Sequence, residues 1–129
     1  MCSSDLALEG MIDGESAQLI RARVVAEAAS LPTNAEGEDV LLQRGIEVLP
    51  SLLCNAGGLV ASHMEWMHNK SSTQITAAEM EERLGQQMTD AARRVRLARH
   101  RFESDLRTAA ICSALEQISR VHQLRGVFP

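Results

Sequence analysis

Aromatic side chains are nearly missing from this sequence: they make up 2% of 129 residues, with one Trp, two Phe and no Tyr. A core must therefore rest on Leu, Val, Ile, Met and Ala. No apolar run approaches the roughly 18 residues that would span a bilayer. The start of the chain also lacks the basic-then-apolar pattern of a secretory signal. No membrane partner is expected. Cys2, Cys54 and Cys112 are odd in number and far apart. They argue against a disulfide framework or a zinc site and fit reduced thiols, so a cytoplasmic setting is expected, or the mitochondrial matrix for a eukaryotic source. Excess positive charge is missing too: the formal net charge is -4, which argues against a general nucleic-acid binder. Lysine occurs once, as Lys70 in a polar stretch, a poor position for a desolvated catalytic amine.

What is present is ordinary for a globular chain, with 45% hydrophobic and 23% charged residues and length enough for one domain. Glu15 to Arg21 reads as a short helix with Asp13 or Gly14 near its start. Arg23-Val24-Val25-Ala26-Glu27-Ala28 is a β-branched run suited to a buried strand. Leu31-Pro32-Thr33 is a turn in which the proline should keep Leu31 extended. Asn34 to Arg44 reads as a helix with Gly45 behind it, and Ile46 to Leu49 as a second strand stopped by Pro50. Strand, helix, strand implies a parallel βαβ crossover. Two parallel strands are too few for a stable sheet, so the unit should borrow partners or belong to something larger.

The remainder is helical. A helix from Asn55 to about Asn69 is followed by a polar linker, Lys70-Ser-Ser-Thr-Gln. Thr76-Ala77-Ala78-Glu79 forms a capping box, and Met80, Leu84, Met88, Ala91 or Ala92 and Val95 make one apolar stripe. After a break near Phe102 to Ser104, Asp105 can cap a last helix with the stripe Ile111, Leu115, Ile118, Val121 and Leu124, ended by Gly126.

The segment Asn55-Ala56-Gly57-Gly58-Leu59-Val60-Ala61-Ser62-His63-Met64-Glu65-Trp66 carries the functional signal. It follows a strand end, Asn55 can cap a helix, and two glycines let another molecule approach the amides of its first turn. Open α/β sheets hold ligands at such strand ends, so Ala28 to Ser30 and Asn55 to Gly58 should face one crevice. A helix start there would favour an anion or a polarised carbonyl. Leu59 and Ser62, three apart, share a helix face. The structural alternative is that Asn55 merely caps the helix and Ser62 bonds back to its own backbone.

Four blocks, in order, resemble the C-terminal portion of the glutamate dehydrogenase family, the amino-acid dehydrogenases of glutamate, leucine, phenylalanine and valine. They are Val24 to Thr33, Arg44 to Pro50, Asn55 to Trp66 and Asp105 to Leu115, with Arg125-Gly126 fitting as well. The resemblance runs from about residue 5 to 129. It implies an α/β fold: residues 1–66 as the C-terminal part of a Rossmann-type dinucleotide-binding domain, and 67–129 as C-terminal helices packing back on a catalytic domain outside this sequence. Counting the Asn55 helix, three helices follow the parallel strand-helix-strand. The resemblance further implies oxidative deamination of L-glutamate to 2-oxoglutarate with NAD or NADP. It places Asn55 and Ser30 at the cofactor and Leu59 and Ser62 at the amino-acid or 2-oxo-acid substrate, and it implies a homo-oligomer for the full-length enzyme.

Several positions depart from the family pattern. Ser30 stands where an asparagine is usual, Ser51 where an aspartate is usual, and Leu59 where a smaller valine is usual. No G-x-G-x-x-G is present, and nothing in the sequence matches the family's catalytic lysine and aspartate. A fragment inactive by itself is expected, with no catalytic residue assigned. The alternative is a non-catalytic module pairing with another subunit or a full-length paralogue. The other conspicuous residues read as structural. His63 and His68 lie five apart and do not align as metal ligands. Arg93, Arg94, Arg96, Arg99 and Arg101 read as a solvated face balancing Glu79, Glu81 and Glu82.

Overall fold

The computed structural model describes residues 9–71 and 76–126. The first helix, α1 (Gly14–Leu19), is short and depends on its cap. The Ser16 amide donates to the Asp13 carboxylate at 2.8 Å and the Asp13 amide donates to the Ser16 hydroxyl at 2.8 Å, so two otherwise orphaned donors are satisfied reciprocally. Strand β1 (Val24–Ala26) follows, then helix α2 (Ala35–Gln43), capped by the Asn34 side chain, then strand β2 (Glu47–Leu49). Gly45, at φ +71, turns the chain between α2 and β2 in the left-handed region that glycine tolerates.

The strands pair in parallel, Val24 with Glu47, Val25 with Val48 and Ala26 with Leu49, as the strand-helix-strand order requires. One expectation fails here. β1 is not a buried strand: Val24 and Ala26 are exposed and only Val25 is half-buried. Among the described residues no other strand flanks β1 in its two-stranded sheet, so its β-branched residues have nothing to pack beneath. A second expectation fails at Leu31. It has φ +49, left-handed and not extended, despite preceding a proline. The loop is held there by the Gly10 amide donating to the Leu31 carbonyl at 3.0 Å and the Ile12 amide donating to the Pro32 carbonyl at 2.8 Å. Tertiary hydrogen bonds outweigh the local preference.

After Pro50 the chain makes a single turn, α3 (Ser51–Cys54), and continues through Asn55 into α4 (Ala56–Lys70). The polar linker's residues 72–75 lie outside the described residues. Helix α5 (Ala77–Phe102) starts on the expected Thr76–Glu79 capping box and stops at Glu103, whose left-handed φ of 48 reverses the chain into α6 (Leu106–Arg125), capped by Asp105.

Two small cores result. Ile12, Ala17, Leu41, Ile46 and Val48 pack beneath the βαβ unit, and Val95, Ala98, Ala109 and Ala110 pack where α5 meets α6. The α5 stripe behaves as expected, with Met80, Leu84, Met88 and Ala91 half-buried and Val95 buried. The α6 stripe faces outward. Ile111, Leu115, Ile118, Val121 and Leu124 are all exposed, up to 78% at Leu124, while Ala109, Ala110 and Ser113 form the buried face. Small residues let the two helices approach closely, so the large side chains point elsewhere. On the exposed side of α5, Gly85 would meet nothing within 4 Å if given a Cβ. Gly85→Ala is expected to stabilise the chain by about 0.5–1 kcal/mol, read as a higher urea midpoint, because only the helix-interior entropy cost of glycine is removed.

Candidate functional site

The carboxyl ends of β1 and β2 open onto one edge. The Asn55 side chain crosses it: Nδ2 donates to the Ala29 carbonyl at 3.1 Å. This joins the loop after β1 to the helix after β2, as the parallel topology requires. Ala29 is half-buried and Ser30 exposed beside it. Asn55 does not cap, however, because its side chain makes no hydrogen bond to the amides of α4 and its backbone is helical. The helix begins one turn earlier, at Ser51, so the positive end of its dipole lies there and not at Asn55. The expected anion-favouring helix start moves accordingly.

Pro50, at the cap position of α3, has no side chain to offer the first amide. A buried carboxylate takes that part. Glu27 Oε2 accepts from the Ser51 amide at 2.7 Å, and the Glu27 side chain has no exposed surface. Its other oxygen, Oε1, is bound by Arg107 Nη2 at 2.7 Å, and Arg107 Nε donates to Glu38 Oε2 at 2.6 Å. One half-buried guanidinium on α6 therefore ties the end of β1, the first turn of α2 and, through Glu27, the start of α3. Burial pushes the Glu27 carboxyl up, but Arg107 and the Ser51 amide outweigh it and hold it below its ordinary 4.5. Burial pushes the Arg107 guanidinium down, and Glu27 and Glu38 together more than reverse that.

A carboxyl whose folded-state pKa lies below its unfolded value contributes stability above the unfolded value and loses it as pH falls through the folded one. The chain is therefore expected to weaken as pH drops below about 4.5, the ordinary value for Glu27. Asp13, Glu79 and Asp105, also held low, act in the same direction. Urea midpoints between pH 7 and pH 3 should show the decline, and Glu27→Gln should flatten part of it. An unchanged slope in that variant would remove Glu27 from the explanation.

Beyond Asn55, Leu59 and Ser62 lie together on the exposed face of α4, Leu59 at 77% exposure. The opposite face, at Gly57, Ala61 and Met64, is the more buried one, and a Cβ at Gly57 would stand 3.6 Å from Met88 Sδ on α5. The Ser62 side chain makes no hydrogen bond among the described residues, so it does not bond back to its own backbone. Lys70 is not in a linker but at the end of α4, where its Nζ sits 4.3 Å from the Trp66 ring centroid.

Three of the five arginines in the α5 row form ion pairs among the described residues, but not with Glu79, Glu81 and Glu82. Arg93 binds Asp90 at 2.8 Å, Arg99 binds Glu47, and Arg101 binds Glu116 at 2.7 Å. The acidic residues first expected to balance it lie at the far end of a 26-residue helix, whereas α6 and β2 bring acids alongside. Among the described residues, no group of three or more His, Cys, Asp or Glu is placed to hold a metal ion, and no helix is long and apolar enough to cross a membrane.

Reading the sequence missed the Glu27–Arg107–Glu38 network. Two signals were present. Glu27 interrupts an otherwise apolar strand end, and Arg107 is a cation in the first turn of a helix, where the dipole disfavours it unless acids are near.

A parallel strand-helix-strand whose strand ends meet across an amide bridge, backed by helices, defines the class: an α/β unit built on a small parallel two-stranded sheet. The particular family follows from sequence. The chain belongs to the glutamate/leucine/phenylalanine/valine dehydrogenase family, whose model matches residues 5–126. It is 39% identical over 120 residues to the NAD-specific glutamate dehydrogenase of Peptoniphilus asaccharolyticus, covering 93% of this chain and 28% of the relative. It is 36% identical over 120 residues to the NADP-specific glutamate dehydrogenase of Synechocystis, again covering 93% of this chain and 28% of the relative. The fold agrees. The crystal structure of the Peptoniphilus enzyme superposes with a TM-score of 0.87 at 38% identity, covering 95% of this chain and 31% of that one. The hetero-hexameric glutamate dehydrogenase of Thermus thermophilus, in its Leu-bound form, gives 0.86 at 36% identity, covering 94% and 29%. The chain thus spans under a third of the length of these relatives.

Proposed function

We propose that this chain supplies the C-terminal part of a glutamate dehydrogenase-like oxidoreductase, with its own residues forming one wall of the cleft and none performing proton transfer. The observation that carries this reading is the Asn55–Ala29 bridge, which brings both strand-end loops together beside the exposed Leu59 and the Ser62 hydroxyl, which has no hydrogen-bond partner among the described residues.

NAD or NADP, when bound to the complete enzyme, supplies the hydride acceptor. The residues present fit its nicotinamide end. Asn55 donates through Nδ2 to Ala29, which leaves Oδ1 free to accept from a carboxamide, and Ser30 stands exposed next to that bridge. Ser62 would donate to a substrate carboxylate, and Leu59 would lie against the aliphatic part of the amino acid. Its bulk would narrow the pocket. The complete enzyme would be oligomeric, with residues 1–66 completing a Rossmann-type domain and 67–129 packing back on the substrate domain.

The 129-residue chain by itself is expected to show no deamination of glutamate with NAD or NADP. Joined to the preceding two thirds of the Peptoniphilus glutamate dehydrogenase, it should restore dinucleotide reduction. An inactive but folded chimera would sink the dehydrogenase reading. Turnover by the isolated chain would sink the division of labour.

A second reading, a non-catalytic module pairing with a longer dehydrogenase subunit, is favoured by the exposed apolar side chains of α6 and by Leu97 on α5. Copurification with such a subunit, without gain of activity, would select it.

A further inference from the structure

The two arms of the cleft edge both lead back to one side chain. Ala29, which accepts from Asn55, lies two residues after Glu27 in the chain. On the other arm, the Glu27 carboxylate holds the Ser51 amide at 2.7 Å, and the Ser51 carbonyl accepts from the Asn55 backbone amide at 2.9 Å. Glu27 thus sets the distance between the loop and the helix whose side chains meet at the bridge. Its orientation is in turn fixed by Arg107, which Glu38 locks from the far side at 2.6 Å.

Buried ion pairs contribute little net stability compared with well-packed apolar residues of the same volume. What they supply is direction: a guanidinium fork with two carboxylates admits one arrangement of three elements. Helix α3 needs that direction, because Pro50 gives it no side-chain cap.

Resting on the dehydrogenase reading above, we infer that Arg107 is a positioning residue for the Asn55–Ala29 edge, acting through Glu27 and Ser51 on the side chain that faces the cofactor. It touches neither cofactor nor substrate. Arg107→Lys is the informative variant, since a lysine keeps the charge but cannot fork between two carboxylates. Glu27→Gln is its companion: it keeps an oxygen for the Ser51 amide and loses the ion pair.

The experiment is residue-resolved hydrogen exchange by NMR on the full 129-residue chain. In Arg107→Lys, the Ser51 amide and the Asn55 side-chain amide should exchange at least about tenfold faster, while the amides of Leu41 and Ile46, in the other core, should keep their wild-type rates. A uniform acceleration everywhere would mark a merely structural residue and overturn the inference, as would unchanged Asn55 exchange in a folded variant. If the lysine variant does not fold, Glu27→Gln is read by the same criteria. In the chimera, Arg107→Lys should lower kcat by roughly ten- to a hundredfold, with KM for the dinucleotide held within about twofold. An inactive wild-type chimera would sink the dehydrogenase reading and leave the exchange result to judge the coupling. An active chimera whose kcat ignores the substitution would sink the positioning role.

Discussion

Replacing Arg107 with methionine is expected to destabilise the chain by about 3–5 kcal/mol, the cost of leaving buried charge without its partner. The magnitude follows from geometry. The Glu27 side chain has no exposed surface, and the Glu38 side chain retains 15%. Methionine fills much of the volume of the arginine stem but donates nothing to either carboxylate. Glu38 can turn towards water, whereas Glu27 cannot, and it would have to take up a proton or draw water inward. A domain holds on the order of 5–15 kcal/mol in total, so this one change approaches the margin.

Urea denaturation followed by circular dichroism at pH 7 measures the loss. The double variant Glu27→Gln with Arg107→Met should recover most of it, because removing both charges removes the penalty along with the pair. A single-variant loss below about 1 kcal/mol, or a double variant no better than the single, would show that the network does not work as a unit.

Gly37→Ala is expected to be the costliest single-methyl addition in the chain, at about 3 kcal/mol. Gly37 is the third residue of α2, and a Cβ built on it would stand 2.3 Å from the Ile12 carbonyl oxygen and 2.9 Å from the carbonyl carbon. The neighbour is backbone, not the end of a flexible side chain. It is also held on both sides: the Ile12 amide donates to Pro32 at 2.8 Å and the Ile12 carbonyl accepts from the Asn34 amide at 3.0 Å. Relief would require α2 to move off residues 10–13, breaking the Asn34 cap or the short parallel bridge between Ile12 and Thr33. Thermal melts of Gly37→Ala beside Gly85→Ala separate steric cost from glycine entropy, since the two should shift in opposite directions. Equal shifts would refute the clash.

Much of the local structure was legible because local rules decide it. The Asp105 cap, the Thr76–Glu79 box, Gly45 and Gly126 with positive φ, and the stop at Pro50 each follow from one or two neighbouring residues. Misreadings occurred where a distant contact overrode a local rule. Leu31 is bent left-handed by hydrogen bonds from residues 10–12. The helix start moved from Asn55 to Ser51 because Glu27, 24 positions away, supplies the first turn's acceptor. The large side chains of α6 form the one apolar stripe visible in that helix's sequence, yet alanines make its contact with α5, because a close approach of two helices selects against bulk.

At the candidate site the division is similar. The order of strands and helices already required that residues near 29 and 55 share an edge, and the parallel pairing with the Asn55–Ala29 bridge follows from it. The family, too, is written in four short blocks that need no coordinates. Only the tertiary structure decided that Asn55 spends its amide on Ala29 and not on a helix start, and that Ser62 has no hydrogen-bond partner among the described residues. It alone showed that Arg107 reaches Glu27 across 80 residues of chain. The physical reason is range. Caps, turns and periodicity act within a few residues and can be read in order along the chain. A buried charge pair is specified by which elements the whole fold brings within 3 Å, and no spacing in the sequence encodes that distance.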